Sequence, residues 1–253
     1  MKAVILAAGR GTRMLGLTQE TPKPMLCVQG KPILQRIIEG LLESGIRQVC
    51  VITGFRAEVI EDFFQDGSKF GATIQYVRQV VQDGTGKAPE LAKGFVGNDP
   101  FLLTYGDILV KPEVYRSMLQ RFGSGSGAYG GVITVTPGED VTKGGLNLFD
   151  EEFCLREVLE KPSAAKIEEY RAKGLLRLDD PVWYNAGIYV FTPALFNYTT
   201  KLQKSPRGEY ELPDAINSMV KDGFKLAGLK IAGRWVDVRD PEVLASLCKG
   251  EEL

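Results

Sequence analysis

The sequence has no histidine among its 253 residues. That absence excludes Ser-His-Asp and Cys-His catalysis, and histidine-ligated zinc or haem. Any reaction carried out here proceeds without an imidazole base. Cysteine is scarce: Cys27, Cys50, Cys154 and Cys248 lie far apart and form no CxxC pair. Such thiols are expected to be reduced or buried, as in a cytosolic protein, and not to form a disulfide framework. No run of 18 apolar residues occurs, so no membrane-spanning helix is expected. The apolar stretch after Lys2 is interrupted by Gly9-Arg10-Gly11 before a signal-peptide core forms. An excess of one charge is also missing. Lys plus Arg total 31 and Asp plus Glu 32, which argues against nucleic acid or a membrane surface as partner. A cytoplasmic location is the expectation.

The remaining composition is that of a globular protein, 44% hydrophobic and 25% charged. Short β-rich runs alternate with helical patterns over the first 110 residues. Ala3–Leu6, Val49–Thr53, Thr73–Val77 and Phe101–Thr104 read as strands. Ile33, Leu34, Ile37, Ile38, Leu41 and Leu42 recur at one-face helical spacing, and 57–64 looks helical. This rhythm implies a parallel, sandwiched sheet. The second half is mixed. Strands are expected near 130–136, 146–149, 188–191 and 226–231, and helices near 112–122, 164–173, 211–222 and 241–247. The Gly/Ser stretch 123–127 is too short to separate domains. The reading is one α/β unit over 1–253, divided near residue 110.

Leu6 to Met14 reads Leu-Ala-Ala-Gly-Arg-Gly-Thr-Arg-Met. A Gly-x-Gly turn after a strand lets backbone N–H groups approach an anion. Met14 stands where the dinucleotide fingerprint needs its third glycine, which argues against a nicotinamide dehydrogenase. Gly30-Lys31-Pro32 and Gly86-Lys87-Ala88 lack the spacing of a Walker loop. In Thr21-Pro22-Lys23-Pro24 two prolines restrain the backbone around one lysine. Lys23, Arg13 and the glycine amides together make a polyphosphate cradle.

Residues 6–14 continuing to Pro22-Lys-Pro-Met-Leu26 resemble the signature of the sugar-1-phosphate nucleotidyltransferases. Tyr105-Gly106-Asp107, Glu160-Lys161-Pro162, Asn185-Ala186-Gly187-Ile188-Tyr189 and Trp235-Val236-Asp237-Val238 extend the resemblance to about residue 245. It implies a Rossmann-like three-layer α/β/α fold with a mostly parallel mixed central sheet, of the GT-A-like nucleotidyltransferase type. Residues 1–110 would hold the nucleotide and 111–253 the sugar phosphate. The implied reaction joins an NTP to a sugar 1-phosphate and releases pyrophosphate, assisted by Mg²⁺. The attacking phosphate, with a second pKa of about 6, is already anionic near pH 7 and needs no general base. Catalysis then consists of positioning and charge stabilisation.

The resemblance assigns roles residue by residue. Arg13, Lys23, Asp107 and Asp237 would be catalytic, the two aspartates holding Mg²⁺; a carboxylate at a parallel strand's C-terminal end points into the ligand crevice. Leu6, Ala8, Gly9, Gly11, Thr12, Gln79 and Gly84 would bind nucleotide. The amide of Gln79 suits the imide edge of uracil or thymine, so UTP or dTTP is favoured. Gly145, Glu160, Lys161, Asn185 and Gly187 would bind the sugar phosphate. GTP or CTP as donor, an amino-sugar phosphate or phosphocholine as acceptor, and a non-catalytic nucleotide-sugar-binding regulator remain alternatives. A homo-oligomer is compatible with the pattern. The chain departs from the family at Lys143-Gly144-Gly145, at Lys87, and at Asp237-Val238-Arg239-Asp240-Pro241, which replaces Asp-x-Gly-Thr-Pro. A C-terminal β-helix or acyltransferase domain, which some relatives carry, is not expected after residue 245.

Overall fold

The computed structural model describes residues 1–125, 127–176 and 181–249. Ser126, within the Gly/Ser stretch, lies outside them. The strands are β1 (Lys2–Ala7), β2 (Cys27–Val28), β3 (Lys31–Pro32), β4 (Gln48–Thr53), β5 (Thr73–Arg78), β6 (Phe101–Tyr105) and β7 (Ile108–Val110). They continue with β8 (Tyr129–Thr136), β9 (Gly145–Phe149), β10 (Leu155–Glu160), β11 (Trp183–Phe191), β12 (Lys225–Lys230) and β13 (Trp235–Asp237). The helices are α1 (Ile33–Glu43), α2 (Ala57–Phe64), α3 (Lys93–Val96), α4 (Pro112–Ser124), α5 (Ala164–Ala172), α6 (Phe196–Thr199), α7 (Leu212–Lys221) and α8 (Pro241–Cys248).

The main sheet is mixed. Its path runs β10-β9-β11-β6-β1-β4-β5, and β8 pairs with both β11 and β12. The segment β6-β1-β4-β5 is parallel throughout. Strand β11 runs antiparallel to β6, β8 and β9, joining the second half of the chain to the first. In β1 every side chain is buried or nearly so, because helices cover both faces. Ala3, Ile5 and Ala7 belong to one core with Leu34, Ile37 and Leu41 of α1 and Tyr115 and Met118 of α4. Val4 and Ala8 belong to the other, with Leu212, Ile216 and Met219 of α7. These two cores make the three-layer sandwich. A third cluster, including Leu146, Leu148, Tyr170 and Tyr184, packs α5 against β9 and β11.

Besides the short elements β2, β3, α3 and α6, three details differ from the sequence expectation. Strand β10 was not expected; its Leu-Arg-Glu-Val-Leu-Glu sequence carries three charges at a sheet edge. Strand β11 begins five residues before the expected Ile188, because a register shift between Asn185 and Tyr189 lets polar Asn185 and Gly187 stay within it. The small β7–β13 ladder was also not foreseen. The four cysteines are unpaired, as expected. Among the described residues no helix is long and apolar enough to cross a membrane.

Candidate active site

The site begins where β1 ends. The chain leaves the sheet at Ala7 and turns through Gly9-Arg10-Gly11 into a 3₁₀ segment, Thr12–Thr18. Gly11 has φ +63°, and a Cβ there would stand 3.0 Å from Cβ of Lys23. A side chain at Gly11 would therefore be strained and would crowd the lysine. Gly9 differs: a Cβ there would meet no protein atom within 4 Å. Gly9 lines the cleft, and the fold leaves the space beside it open.

Lys23 opens a one-turn 3₁₀ segment between Pro22 and Pro24. Its Nζ donates to Asp107 Oδ2 at 2.5 Å and lies 3.9 Å from Asp237 Oδ1. The aspartates come from distant segments. Asp107 follows β6. Asp237 ends β13, whose pairing with β7 sets Asp237 opposite Ile108. The Val238 N–H donates to the Asp107 carbonyl at 3.0 Å, locking the two turns together. Burial and the neighbouring Asp107 charge push the Asp237 carboxyl up to about 6, against the pull of Lys23, Arg239 and Arg13.

This centre lies in a cleft of about 560 Å³. Leu6, Ala8, Gly9, Gly11, Thr12, Arg13, Lys23, Gln79, Gly84, Asp107 and Asp237 all line it. Every residue expected to bind nucleotide or to be catalytic is thus brought to one place. The Gln79 side-chain amide donates to the Gly84 carbonyl at 3.4 Å. Gly84 itself abuts the backbone of Tyr210.

The residues expected to bind the sugar phosphate do not line this cleft. They form a neighbouring group on β9, β10 and β11. Glu160 pairs with Gly145 across the β9–β10 ladder, and Lys161 follows it. A Cβ on Gly145 would come 2.9 Å from Cβ of Asn185, so the glycine makes room for that side chain. A Cβ on Gly187 would lie 2.6 Å from the Tyr105 ring, so the space it leaves is filled by Tyr105. Lys161 Nζ lies 3.8 Å from Glu160, and Arg207 lies 3.6 Å from the same carboxylate. Burial raises the Glu160 carboxyl above its usual range, with Lys161 opposing the shift.

A chain of contacts joins the two groups. Tyr105, which lines the cleft, meets Tyr189 edge-on with ring centroids 6.3 Å apart. The Tyr189 hydroxyl donates to Asn185 Oδ1 at 3.0 Å. Sequence reasoning missed this chain, and also Arg10, Gln82, Thr85, Glu209 and Arg239 in the cleft wall. Only Arg239 carried a signal, as a departure from the family pattern. Lys87 does not line the cleft; its ammonium rests 4.4 Å from the centre of the Tyr210 ring.

Mg²⁺ prefers a few carboxylates plus substrate oxygens and water over an all-protein cage. Asp107 and Asp237 fit that habit: they converge on one cation, the ammonium of Lys23, and open onto the cleft. Among the described residues no group of three or more acidic, cysteine or histidine side chains could hold a metal ion. Further ligands would have to come with the substrate.

Comparison with known proteins shows the family of this chain. The chain is 34% identical over 245 residues to the low-salt glycan biosynthesis nucleotidyltransferase Agl11 of Haloferax volcanii, covering 96% of this chain and 63% of that protein. It is 34% identical over 241 residues to the bifunctional protein GlmU of Methanocaldococcus jannaschii, where it spans 52% of the relative's length. The UTP–glucose-1-phosphate uridylyltransferase AglF of Haloferax volcanii is 30% identical over 243 residues, covering 96% of this chain and 93% of that one. A Bacillus anthracis structure assigned as a glucose-1-phosphate thymidylyltransferase superposes with a TM-score of 0.82 at 26% identity, covering 98% of this chain and 94% of that one. The nucleotidyl transferase family profile matches residues 2–249, and the chain belongs to that family.

Proposed function

We propose that this protein transfers a nucleotidyl group from an NTP, UTP or dTTP by preference, to a sugar 1-phosphate. The observation that carries this reading is the single ammonium of Lys23 set against both Asp107 and Asp237 beside an open glycine turn. The name of AglF, a relative matched along nearly its whole length, supports a uridylyl donor and a hexose 1-phosphate acceptor.

In this reading the nucleotide enters along β1 and the 79–85 loop. Backbone amides of the Gly9–Gly11 turn and the Arg13 side chain hold the triphosphate. A phosphate oxygen of the acceptor attacks the α-phosphorus in line; the new O–P bond forms as the bond to the pyrophosphate oxygen breaks. No proton need be abstracted from the anionic nucleophile, consistent with a chain that has no histidine. Lys23 offsets charge at the reacting phosphate. Asp107 and Asp237 would hold Mg²⁺, which when bound neutralises phosphate charge. Glu160 and Asn185 would hydrogen-bond with sugar hydroxyls. Free thiols suit a cytoplasmic setting.

The test is pyrophosphate release over a grid of NTPs and sugar 1-phosphates, with and without Mg²⁺. Release is expected with a pyrimidine NTP, a hexose 1-phosphate and metal together. Tight nucleotide-sugar binding with no release under any combination would return the non-catalytic regulator.

A further inference from the structure

We propose that Tyr189 is a positioning residue for the acceptor: it holds the Asn185 amide so that Asn185 offers the sugar an N–H donor. This rests on the nucleotidyl-transfer reading and adds a residue and a direction to it. The Tyr189 hydroxyl donates to Asn185 Oδ1 at 3.0 Å, and the Gly187 backbone N–H donates to the same atom at 3.4 Å. A backbone N–H only donates, so the atom it meets is the amide oxygen and the other end is the NH2 group. Residues four apart in a regular strand stand about 13 Å from each other. Here they touch because β11 bulges between them. Asn185 pairs with Val135 and Tyr189 with Ile133, so four steps of β11 match two of β8. Gly187, at φ +77°, makes the turn inside the bulge.

The oxygen of the amide is thereby committed, and the nitrogen is not. Asn185 Nδ2 has no hydrogen-bond partner among the described residues. It faces Gly145: a Cβ on Gly145 would lie 3.4 Å from Nδ2. The side chain that Gly145 lacks leaves space beside the NH2 group, and Gly145 pairs with Glu160 across the β9–β10 ladder. The free donor therefore opens onto the residues expected to bind the sugar. Tyr189 is itself fixed. It is 1% exposed, its ring stacks on Phe191 with centroids 5.5 Å apart, and Tyr105 meets it edge-on. A hydroxyl carried on so confined a ring keeps the amide from turning over. Glu160 takes a hydroxyl proton, whereas Asn185 seeks a lone pair. At the place Asn185 reads, the acceptor needs an oxygen but not its hydrogen.

The experiment measures both Michaelis constants for the wild type, Y189F and N185D, with thermal melting of each. The acceptors are a hexose 1-phosphate that the wild type turns over, and its deoxy and deoxyfluoro analogues at each hydroxyl position. Fluorine accepts from an N–H and donates nothing. At one position the deoxyfluoro analogue is expected to hold its KM within about threefold of the parent while the deoxy analogue rises about tenfold, the worth of one hydrogen bond. N185D has no amide N–H and should erase that fluorine advantage. Y189F should raise the acceptor KM about three- to tenfold and shrink the advantage, with the NTP KM within about twofold. If Y189F melts too early to assay, the N185D comparison decides. The proposal is overturned by no fluorine advantage at any position, by an advantage that survives N185D, by an unmoved acceptor KM in Y189F, or by an equal rise in both constants. A wild type that turns over no sugar 1-phosphate fails the functional reading and this inference with it. Turnover without an Asn185-dependent fluorine advantage fails the inference alone.

Discussion

Lys23 Nζ lies 2.5 Å from Asp107 and 3.9 Å from Asp237, so one partly buried ammonium is shared by two carboxylates. The chain brings them together across separations of 84 residues for Asp107 and more for Asp237. The ammonium offsets the repulsion that two neighbouring acids would otherwise exert. In the proposed reaction the same charge faces the reacting phosphate.

Lys23→Ala is expected to lower turnover about 10²–10³-fold, the usual cost of removing one preorganised charge partner from a transition state. It also removes the first of three cations, with Arg239 and Arg13, that hold the Asp237 carboxyl down. The free variant should therefore melt earlier than the wild type near pH 7 and recover toward pH 5, where a carboxyl takes up a proton. Near-normal turnover of a folded variant would remove Lys23 from the mechanism.

The raised Asp237 carboxyl makes stability depend on pH. Its value is about 6 in the folded chain against 3.8 for an ordinary aspartate. Between those values the native state holds more proton than the unfolded state, so stability falls as pH rises from about 4 to about 6 and then levels off. The contribution is on the order of 2–3 kcal/mol. Asp237→Asn should flatten this part of the curve in the free enzyme. A denaturant-midpoint series over pH 4–7 reads it directly, and a variant profile parallel to the wild type contradicts the assignment.

Gly9→Ala and Gly11→Ala should separate ligand space from backbone strain. A methyl at Gly9 meets no protein atom, so the variant should melt within a few degrees of the wild type yet bind NTP at least about tenfold more weakly, from steric exclusion of a phosphate. Gly11→Ala adopts a left-handed φ and meets Lys23, so it should lose roughly 1–2 kcal/mol of stability as well. Calorimetric titration with NTP beside thermal melting checks both; unchanged NTP binding in Gly9→Ala is the result that fails.

Gln79→Ala should relax the choice of base. A missing amide partner for a polar base edge is worth about 1–3 kcal/mol, or roughly 10–100-fold in relative kcat/KM between NTPs. The Gln79 N–H to Thr53 carbonyl bond of 2.7 Å survives the substitution, so the strand end keeps its place. An unchanged ranking of NTPs would take the base-reading role from Gln79.

Much of the nucleotide side could be read directly from the chain. The apolar run of β1, the Gly-x-Gly turn and Pro-Lys-Pro are local patterns whose geometry follows from backbone sterics. The one-face spacing of α1 locates its buried side without a partner being known. The sugar side was harder to read. The charged edge strand β10 has no clean alternation, and β11 carries its polar residues through a bulge. Its chain of contacts joins Tyr105, Tyr189 and Asn185, which no short window contains.

Sequence alone excluded an imidazole and set a Gly-x-Gly turn, two arginines and a proline-flanked lysine within its first 25 residues, the basis for expecting fixed positive charge in the chemistry. Tertiary structure decided which charges share a site: the β7–β13 pairing sets Asp237 beside Asp107, and the Arg239–Glu139 contact spans 100 residues. The physical reason is range. Turn sterics act over a few neighbouring residues, whereas an electrostatic cluster depends on distances through space that only the packed sheet fixes.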